Sequence, residues 1–141
     1  MFASTQQFID TLESQDHHYN LVEADQDHPH DMVGLLFGCD NLDLELNLFF
    51  GEDCEDVAIR GFDLVKIPED KMPAALLAVN ELNNRFRFVK FVVETENAVI
   101  RLELDASFRS HDVGDICYEL VMRTVNICDE AYPSLMKAVW S

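Results

Sequence analysis

Apolar and polar residues alternate along residues 42–50, which is the period of a β-strand with one buried face and one wet face. The apolar positions are Leu42, Leu44, Leu46, Leu48 and Phe50, and the polar positions between them are Asp43, Glu45 and Asn47. Apolar runs at residues 19–24 and 32–39 predict two earlier strands. Residues 57–66 predict a fourth strand, in which the apolar positions shift phase after Gly61 to Phe62 and Leu64. That shift predicts a β-bulge at Gly61.

A second pair of strands is predicted around a two-residue turn at Glu96 and Asn97. This turn sets one register, in which apolar residues face one another on one side of the hairpin. The facing pairs are Val89 with Leu104, Phe91 with Leu102 and Val93 with Ile100. On the other side Lys90 faces Glu103, which is an opposite-charge pair, so a single register satisfies both sides.

The second side of this hairpin carries more apolar area than a solvated face normally has. Phe88 lies beside Asp105, Val92 lies beside Arg101, and Val99 adds a further apolar side chain. We expect this side to be covered, either by another part of the chain or by a partner. The sequence therefore predicts a protein-interaction site at Phe88, Val92, Val99 and Arg101.

Three segments have the helical period of apolar residues. The first runs from a cap at Ser4 or Thr5 to about Ser14. The second extends over residues 72–86, and the third begins at Val113, with an interruption predicted near Pro133. The predicted order is α-β-β-β-β-α-β-β-α, with both groups of strands built from antiparallel hairpins. This order predicts an α+β domain in which helices pack on an antiparallel sheet.

The composition bounds the possible functions. A chain of 141 residues, 48% of them hydrophobic, suits one folded domain, so we expect residues 1–141 to form a single unit. The net charge of -17 would repel nucleic acid. No run approaches the length of a membrane helix, and the first residues lack the basic and apolar regions of an export signal. We expect a cytoplasmic protein without nucleic-acid or membrane partners.

The charge is unevenly distributed along the chain. Residues 1–70 hold 17 acidic and 2 basic side chains, whereas residues 71–141 hold 10 and 8. The basic residues concentrate near the second hairpin, at Arg85, Arg87, Lys90 and Arg101. Helix-end charges and cross-strand pairs explain this better than an anion site does. A second interpretation is that the basic patch meets the acidic half of another subunit, in which case high salt should weaken the dimer.

Few residues suggest catalysis or cofactor binding. The serines lack a G-x-S-x-G setting, and the five glycines form no phosphate-binding loop, so we predict neither enzymatic activity nor a cofactor. Cys39, Cys54, Cys117 and Cys128 form no C-x-x-C pair and are predicted to be free thiols in a reducing cytosol. Cys117 and Cys128 share the apolar face of the last predicted helix, so we expect both to be buried.

Histidine and acidic residues cluster in residues 17–31. The members are His17, His18, His28, His30, Glu23, Asp25, Asp27 and Asp31. Imidazole and carboxylate ligands suit a divalent metal such as zinc. Their spacing matches no established ligand motif, however, and Pro29 interrupts the segment, so a solvated loop is the preferred interpretation.

One segment, VNELNNRFRFVKFVVETENAVIRLELDAS, together with the ending AYPSLMKAVW, resembles the YbjN family of proposed bacterial sensory transduction regulators. The features that carry the resemblance are Asn80, Leu82, Asn83, Phe91, Tyr132, Pro133 and Leu135. The resemblance extends over nearly the whole chain and rests on packing and helix-end residues. It implies a fold similar to that of the type III secretion chaperones, which commonly dimerise and hold segments of a client protein.

The resemblance implies a non-enzymatic role and supplies no catalytic residues. Our leading hypothesis is a homodimeric interaction module that acts as a regulator or adaptor of the YbjN kind. The alternative is a type III secretion-type chaperone for a specific client. A third interpretation, an enzyme or metal-binding protein, would use the loop at residues 17–31.

Overall fold

The computed structural model describes residues 1–108 and 112–141. Within them, three α-helices, one short 3₁₀ helix and six strands follow the predicted order. The elements are α1 (Ala3–Ser14), β1 (Asn20–Val22), β2 (Asp31–Gly38), β3 (Asp43–Phe50), β4 (Asp56–Lys66), the 3₁₀ helix Glu69–Lys71, α2 (Met72–Arg85), β5 (Lys90–Glu94), β6 (Val99–Ser107) and α3 (Val113–Trp140). The predicted α+β class is confirmed.

The six strands form one antiparallel sheet in the order β1-β2-β3-β4-β6-β5. The alternation predicted for β3 is confirmed, since Leu44, Leu46, Leu48 and Phe50 are all buried. These side chains share one apolar core with residues of all three helices. The helices therefore cover one face of the sheet.

Helices α1 and α3 approach closely at Gly114, in the first turn of α3. A Cβ atom placed on Gly114 would lie 2.6 Å from the carbonyl oxygen of Gln7, which is closer than real Cβ contacts come. Phe8 of α1 also contacts the sheet, with its ring centroid 5.7 Å from that of Phe50. Gly114 therefore lets α1 lie against both α3 and the sheet.

The register predicted for the second hairpin is confirmed. Lys90 faces Glu103, Phe91 faces Leu102, Val92 faces Arg101 and Val93 faces Ile100. The predicted two-residue turn is wrong, because the last facing pair is Glu94 with Val99 and residues 95–98 form a longer turn. The Glu94 carboxylate accepts hydrogen bonds from the amides of Glu96 and Asn97, and these bonds hold the longer turn.

The bulge predicted at Gly61 is confirmed, but the predicted phase shift is wrong. Gly61 faces Leu102 and Val65 faces Ile100, so β4 has two extra residues between these pairs. An even number of extra residues returns the strand to its original phase. Val65 is consequently buried, whereas Phe62 points to the opposite face and is 43% exposed.

The interruption predicted near Pro133 is also wrong, because α3 continues through this residue to Trp140. Proline has no N–H to donate to the carbonyl four residues earlier, which belongs to Asp129. The side-chain amide of Asn41 donates to that carbonyl instead, at 2.9 Å. The amide N–H of Asn41 also donates to the Asp129 carboxylate, at 2.8 Å. The β2–β3 loop thus satisfies the carbonyl that the proline leaves without a partner.

Helix α1 begins at Ala3 and not at the predicted cap, Ser4 or Thr5. The hydrogen-bond donors at the start of α1 bond to a distant residue, Asp31, which begins β2. The Asp31 carboxylate accepts hydrogen bonds from the Phe2 amide at 2.8 Å, the Thr5 hydroxyl at 2.7 Å and the Ala24 amide at 2.9 Å. Burial alone would raise the pKa of Asp31, but the hydrogen bonds from Thr5, Phe2 and Ala24 outweigh it and lower the pKa below its ordinary value.

We predict that Asp31→Asn destabilises the fold by about 3 kcal/mol at neutral pH, because hydrogen bonds to a buried carboxylate are lost. A group whose pKa is lowered in the folded state stabilises the fold above its unfolded pKa, near 4 for Asp, and loses this effect as the pH falls through the folded pKa. The difference between the two proteins should therefore shrink below about pH 4. Urea unfolding at neutral and acidic pH measures it, and a constant difference would contradict this account.

Candidate interaction surface

The face of the sheet opposite the helices is called here the open face. It comprises the residues of the six strands whose side chains point away from the core. Its main members are Val22, Met32, Gly34, Leu36, Glu45, Asn47, Phe49, Ala58, Arg60, Phe62, Val92, Val99, Arg101, Glu103 and Asp105. No helix among the described residues packs on this face, since the helices share the core on the other side.

Apolar side chains on the open face are accessible in several places. Leu36 is 76% exposed and Phe62 is 43% exposed, although both are large and hydrophobic. The ring of Phe62 meets that of Phe49 edge to face, with centroids 6.1 Å apart. Scattered exposed apolar residues are normal, but several on one uncovered sheet face are typical of a contact surface.

The centre of the open face holds a network of ion pairs. Arg60 lies between two carboxylates, with its Nη1 atom 2.8 Å from Asp105 and its Nε atom 3.6 Å from Glu103. Arg101 reaches the other oxygen of Glu103, also at 3.6 Å. The network contains two positive and two negative side chains. It is therefore locally neutral in a chain whose net charge is -17.

The structure brings together three of the four predicted interaction residues. Val92 and Arg101 face each other across β5 and β6, and Val99 lies on the same face between Lys66 and Glu94 of the neighbouring strands. Val92 and Arg101 are half-buried, whereas Val99 is only 6% exposed. Val99 therefore supports this surface from within the sheet and offers it little contact area.

Phe88 lies elsewhere, and its predicted position beside Asp105 is wrong. Strand β5 begins at Lys90, and Phe88 has a left-handed backbone conformation with φ of 72°. Its ring lies under the guanidinium of Arg123 on α3, at 5.2 Å, which is a cation–π contact on the helical side of the molecule. The sequence did not indicate that Phe88 lies outside the strand, because the alternation typical of a strand continues back through this residue.

Two members of the predicted basic patch form ion pairs. Arg85, at the end of α2, binds Glu130 of α3 at 2.8 Å, and Arg101 binds Glu103. Lys90 also faces Glu103 across the hairpin. These contacts favour the interpretation of helix-end and cross-strand charges. The proposed contact with the acidic half of another subunit stays a prediction.

The histidine and acidic residues of the loop do not converge. The ring of His17 packs against Phe37, at 5.0 Å between centroids, while His28 lies beside Asp25, with nitrogen and oxygen 3.4 Å apart. Asp31 is buried under the first turn of α1. Across residues 1–108 and 112–141, no group of three or more potential ligand side chains is placed to hold a metal ion. The metal-binding form of the third interpretation thus gains no geometric support from the described residues.

The four cysteines are free thiols. Cys117 and Cys128 are completely buried on α3, as predicted. Burial raises the pKa of each thiol to about 12. Both thiols are therefore protonated at neutral pH and behave as small apolar side chains.

A cavity of about 520 Å³ lies on the open face, where β1, β2 and β3 meet the α1–β1 loop. A smaller hollow of about 380 Å³ adjoins it, because Glu45 and Asn47 line both. Sequence analysis missed this site. Its lining comes from three strands and a loop, and the glycine at its floor, Gly34, carries no chemical signal by itself.

Asn83 and Phe91, two residues of the family resemblance, bind each other directly. The Asn83 side-chain amide donates to the Phe91 carbonyl at 2.9 Å, and the Phe91 amide donates to the Asn83 side-chain oxygen at 2.7 Å. Because β5 is an edge strand, these main-chain groups would otherwise be open to pairing with another strand. Asn83 therefore anchors α2 to the sheet and closes part of this edge.

We predict that Asn83→Ala destabilises the fold by about 1–3 kcal/mol, because two hydrogen bonds are lost at once. The matched control is Asn84→Ala, an exposed neighbour on the same helix, which should be neutral or slightly stabilising since alanine has the higher helix propensity. Thermal unfolding followed by circular dichroism measures both. Equal melting temperatures for the two variants would show that the Asn83 contact contributes nothing.

None of the helices in the described part of the chain is long and apolar enough to cross a membrane.

Comparison with known proteins agrees with the resemblance found in the sequence. Residues 9–135 match the model of the YbjN family, described as "Putative bacterial sensory transduction regulator". The fold is similar to a crystal structure of YbjN, "a putative transcription regulator from E. coli", with a TM-score of 0.56 and 8% sequence identity. The similarity covers 93% of this chain and 94% of that one. No curated protein sequence matches the chain significantly. Since the family model spans most of the chain, this protein belongs to the YbjN family.

Proposed function

We propose that this chain is a non-enzymatic protein-interaction module, a regulator or adaptor of the YbjN kind, that forms a homodimer through the open face. The family description supports a regulatory role, and the YbjN protein of similar fold is itself described as "a putative transcription regulator". The contact surface that we propose is centred on Val92 and Arg101, with Val99 beneath it. Phe88, on the helical side, lies outside this surface.

The observation that carries the proposal is the uncovered apolar area of the open face. Its members include the half-buried Val92, the half-buried Phe49 and the exposed Phe62. Covering these side chains with a second copy would remove apolar surface from water at roughly 25 cal/mol per Å². An uncovered sheet face of this composition favours association over a purely solvated surface.

Electrostatics also support association at this part of the molecule. Two chains of charge -17 repel each other over most of their surfaces. At the centre of the open face, Arg60 and Arg101 balance Glu103 and Asp105, so the local charge does not oppose approach. A two-fold dimer uses the same patch on both copies, so Arg101 of one copy could face Glu103 of the other.

A non-enzymatic role in the cytoplasm is part of the proposal. The protonated, buried thiols of Cys117 and Cys128 are unsuited to nucleophilic catalysis. Four free cysteines suit a reducing compartment.

The experiment that tests this proposal is Val92→Glu. We expect the variant to remain folded, because Val92 lies outside the buried core, and to dissociate to a monomer, because two buried glutamates would face each other or other carboxylates. Sedimentation equilibrium gives the subunit state and circular dichroism gives the fold. The matched control is Leu77→Glu on α2, which is 68% exposed and lies away from the open face, and it should leave association unchanged.

A folded Val92→Glu variant that associates as the wild type does would remove the open face from the proposal. A pull-down with the wild type and both variants, followed by mass spectrometry, addresses the role of the dimer. A single client that binds the wild type in stoichiometric amount would favour the secretion-type chaperone over the regulator or adaptor.

A further inference from the structure

The side chain of Asn47 is an unusual polar group on the open face. Asn47 is only 8% exposed, yet its amide makes no hydrogen bond within the described part of the chain. Its nitrogen and oxygen still contact solvent, so they can take a hydrogen-bond partner from outside the chain. The amide lines the cavity of about 520 Å³, where a bound molecule could supply the missing partner.

The floor of this cavity is flat at Gly34. Asn20, Gly34 and Asn47 face one another across β1, β2 and β3, so an asparagine lies on each side of the glycine. A Cβ atom on Gly34 would lie 3.4 Å from the side-chain oxygen of Asn47 and 3.8 Å from the Cβ of Asn20. Met32 and Leu36 flank Gly34 along β2 on the same face. The result is a slot with apolar ends, a flat floor and a carboxamide on each side.

The charges around the slot select the sign of a ligand. Glu45 and Asp16 line the cavity, and none of the lysines or arginines that the structure describes does. His17 and His18 also line the cavity, although the ring of His17 itself packs against Phe37 and Tyr118. The net charge of -17 adds to the negative potential and attracts cations. Carboxylates and phosphates are thus disfavoured.

We propose that this cavity binds a small planar molecule with a cationic amine. Its ring would lie on Gly34 between Met32 and Leu36, its polar edge would bond the Asn47 amide, and its amine would lie near Glu45. The volume falls within the range of about 300–1,000 Å³ that is usual for small-molecule sites. The cavity lies on β1, β2 and β3, whereas Val92 and Arg101 lie on β5 and β6, so the two proposed sites use different parts of the open face.

The test uses tryptamine as the probe, because it combines a planar ring with a cationic amine. Titration into the ¹⁵N-labelled full-length chain, followed by two-dimensional NMR, should shift the Gly34 amide and the Asn47 side-chain amide in a saturable way. Indole-3-acetate has the same ring with a carboxylate, and we expect it to bind at least roughly tenfold more weakly. Cyclohexylamine keeps the amine without the planar ring and should also bind more weakly.

Two glycine variants test the floor of the slot. Gly34→Ala adds one methyl group at ordinary contact distance from Asn47, so the fold should survive while tryptamine binding weakens by roughly tenfold or more. The matched control is Gly38→Ala on the same strand. A Cβ atom on Gly38 would lie 3.9 Å from the Asp43 side chain, so this variant should bind tryptamine as the wild type does.

Asn47→Leu separates a binding role from a structural one. If Asn47 is kept for a ligand, leucine at this position should abolish tryptamine binding and leave the melting temperature equal or higher, because no hydrogen bond within the described chain is lost and apolar area is added. A lower melting temperature with unchanged tryptamine binding would show that the amide is structural and would overturn the proposal.

Other outcomes would overturn it as well. One is the absence of saturable shifts at Gly34 and Asn47 with tryptamine. Another is equal loss of binding in Gly34→Ala and Gly38→Ala. If Asn47→Leu changes the subunit state while no probe binds, the cavity belongs to a protein contact and not to a small molecule. Val92→Glu should leave tryptamine binding unchanged, so failure of the dimer proposal can be distinguished from failure of this one.

Discussion

The structure depends on one constraint, which is that three helices pack against a single face of a six-stranded sheet. The alternating residues of β3 and the apolar faces of α1 and α3 bury one another, and this one layer forms the core. Fixing the helices on that side needs long-range contacts. Asp31 joins the first turn of α1 to β2 and to the chain after β1, Asn41 joins the β2–β3 loop to α3, and Asn83 joins α2 to β5. In each case a side chain satisfies main-chain groups of a distant element, so local sequence alone does not determine these links.

The same constraint leaves the other face of the sheet without cover from the chain's own helices, and the residues there must tolerate water. Charged side chains do so by pairing across strands, as Arg60 does with Glu103 and Asp105. The edge of β5 is partly closed by the Asn83 amide, which lowers the risk of uncontrolled strand pairing. The proposed association would therefore use the open face and not this edge.

Much of the fold could be predicted from sequence, and the register of β5 and β6 shows why. In a hairpin, apolar residues on one side and the Lys90–Glu103 pair on the other leave only one register. The failures arise where a distant contact changes a local preference. Asn41 satisfies the carbonyl left by Pro133, so the helix does not stop, and two extra residues restore the phase of β4 after Gly61. Phe88 lies outside β5, where its ring contacts the guanidinium of Arg123 on α3. The cavity could not be predicted at all, because its floor is defined by a missing side chain at Gly34.

Polar groups without full partners support the two proposed sites more directly than the sequence motifs do. The Nε atom of Arg101 is buried without a hydrogen bond, and the Asn47 amide, which still contacts solvent, has no partner within the described part of the chain; both belong to the open face. Core polar groups such as Asp31 and Thr124 have their hydrogen bonds satisfied, although Ser4 does not. A chain that satisfies most polar groups in its core could satisfy those on an accessible face more easily, with water or longer side chains. The buried, unpaired Nε of Arg101 therefore supports the proposed protein contact, and the accessible Asn47 amide supports the proposed cavity ligand.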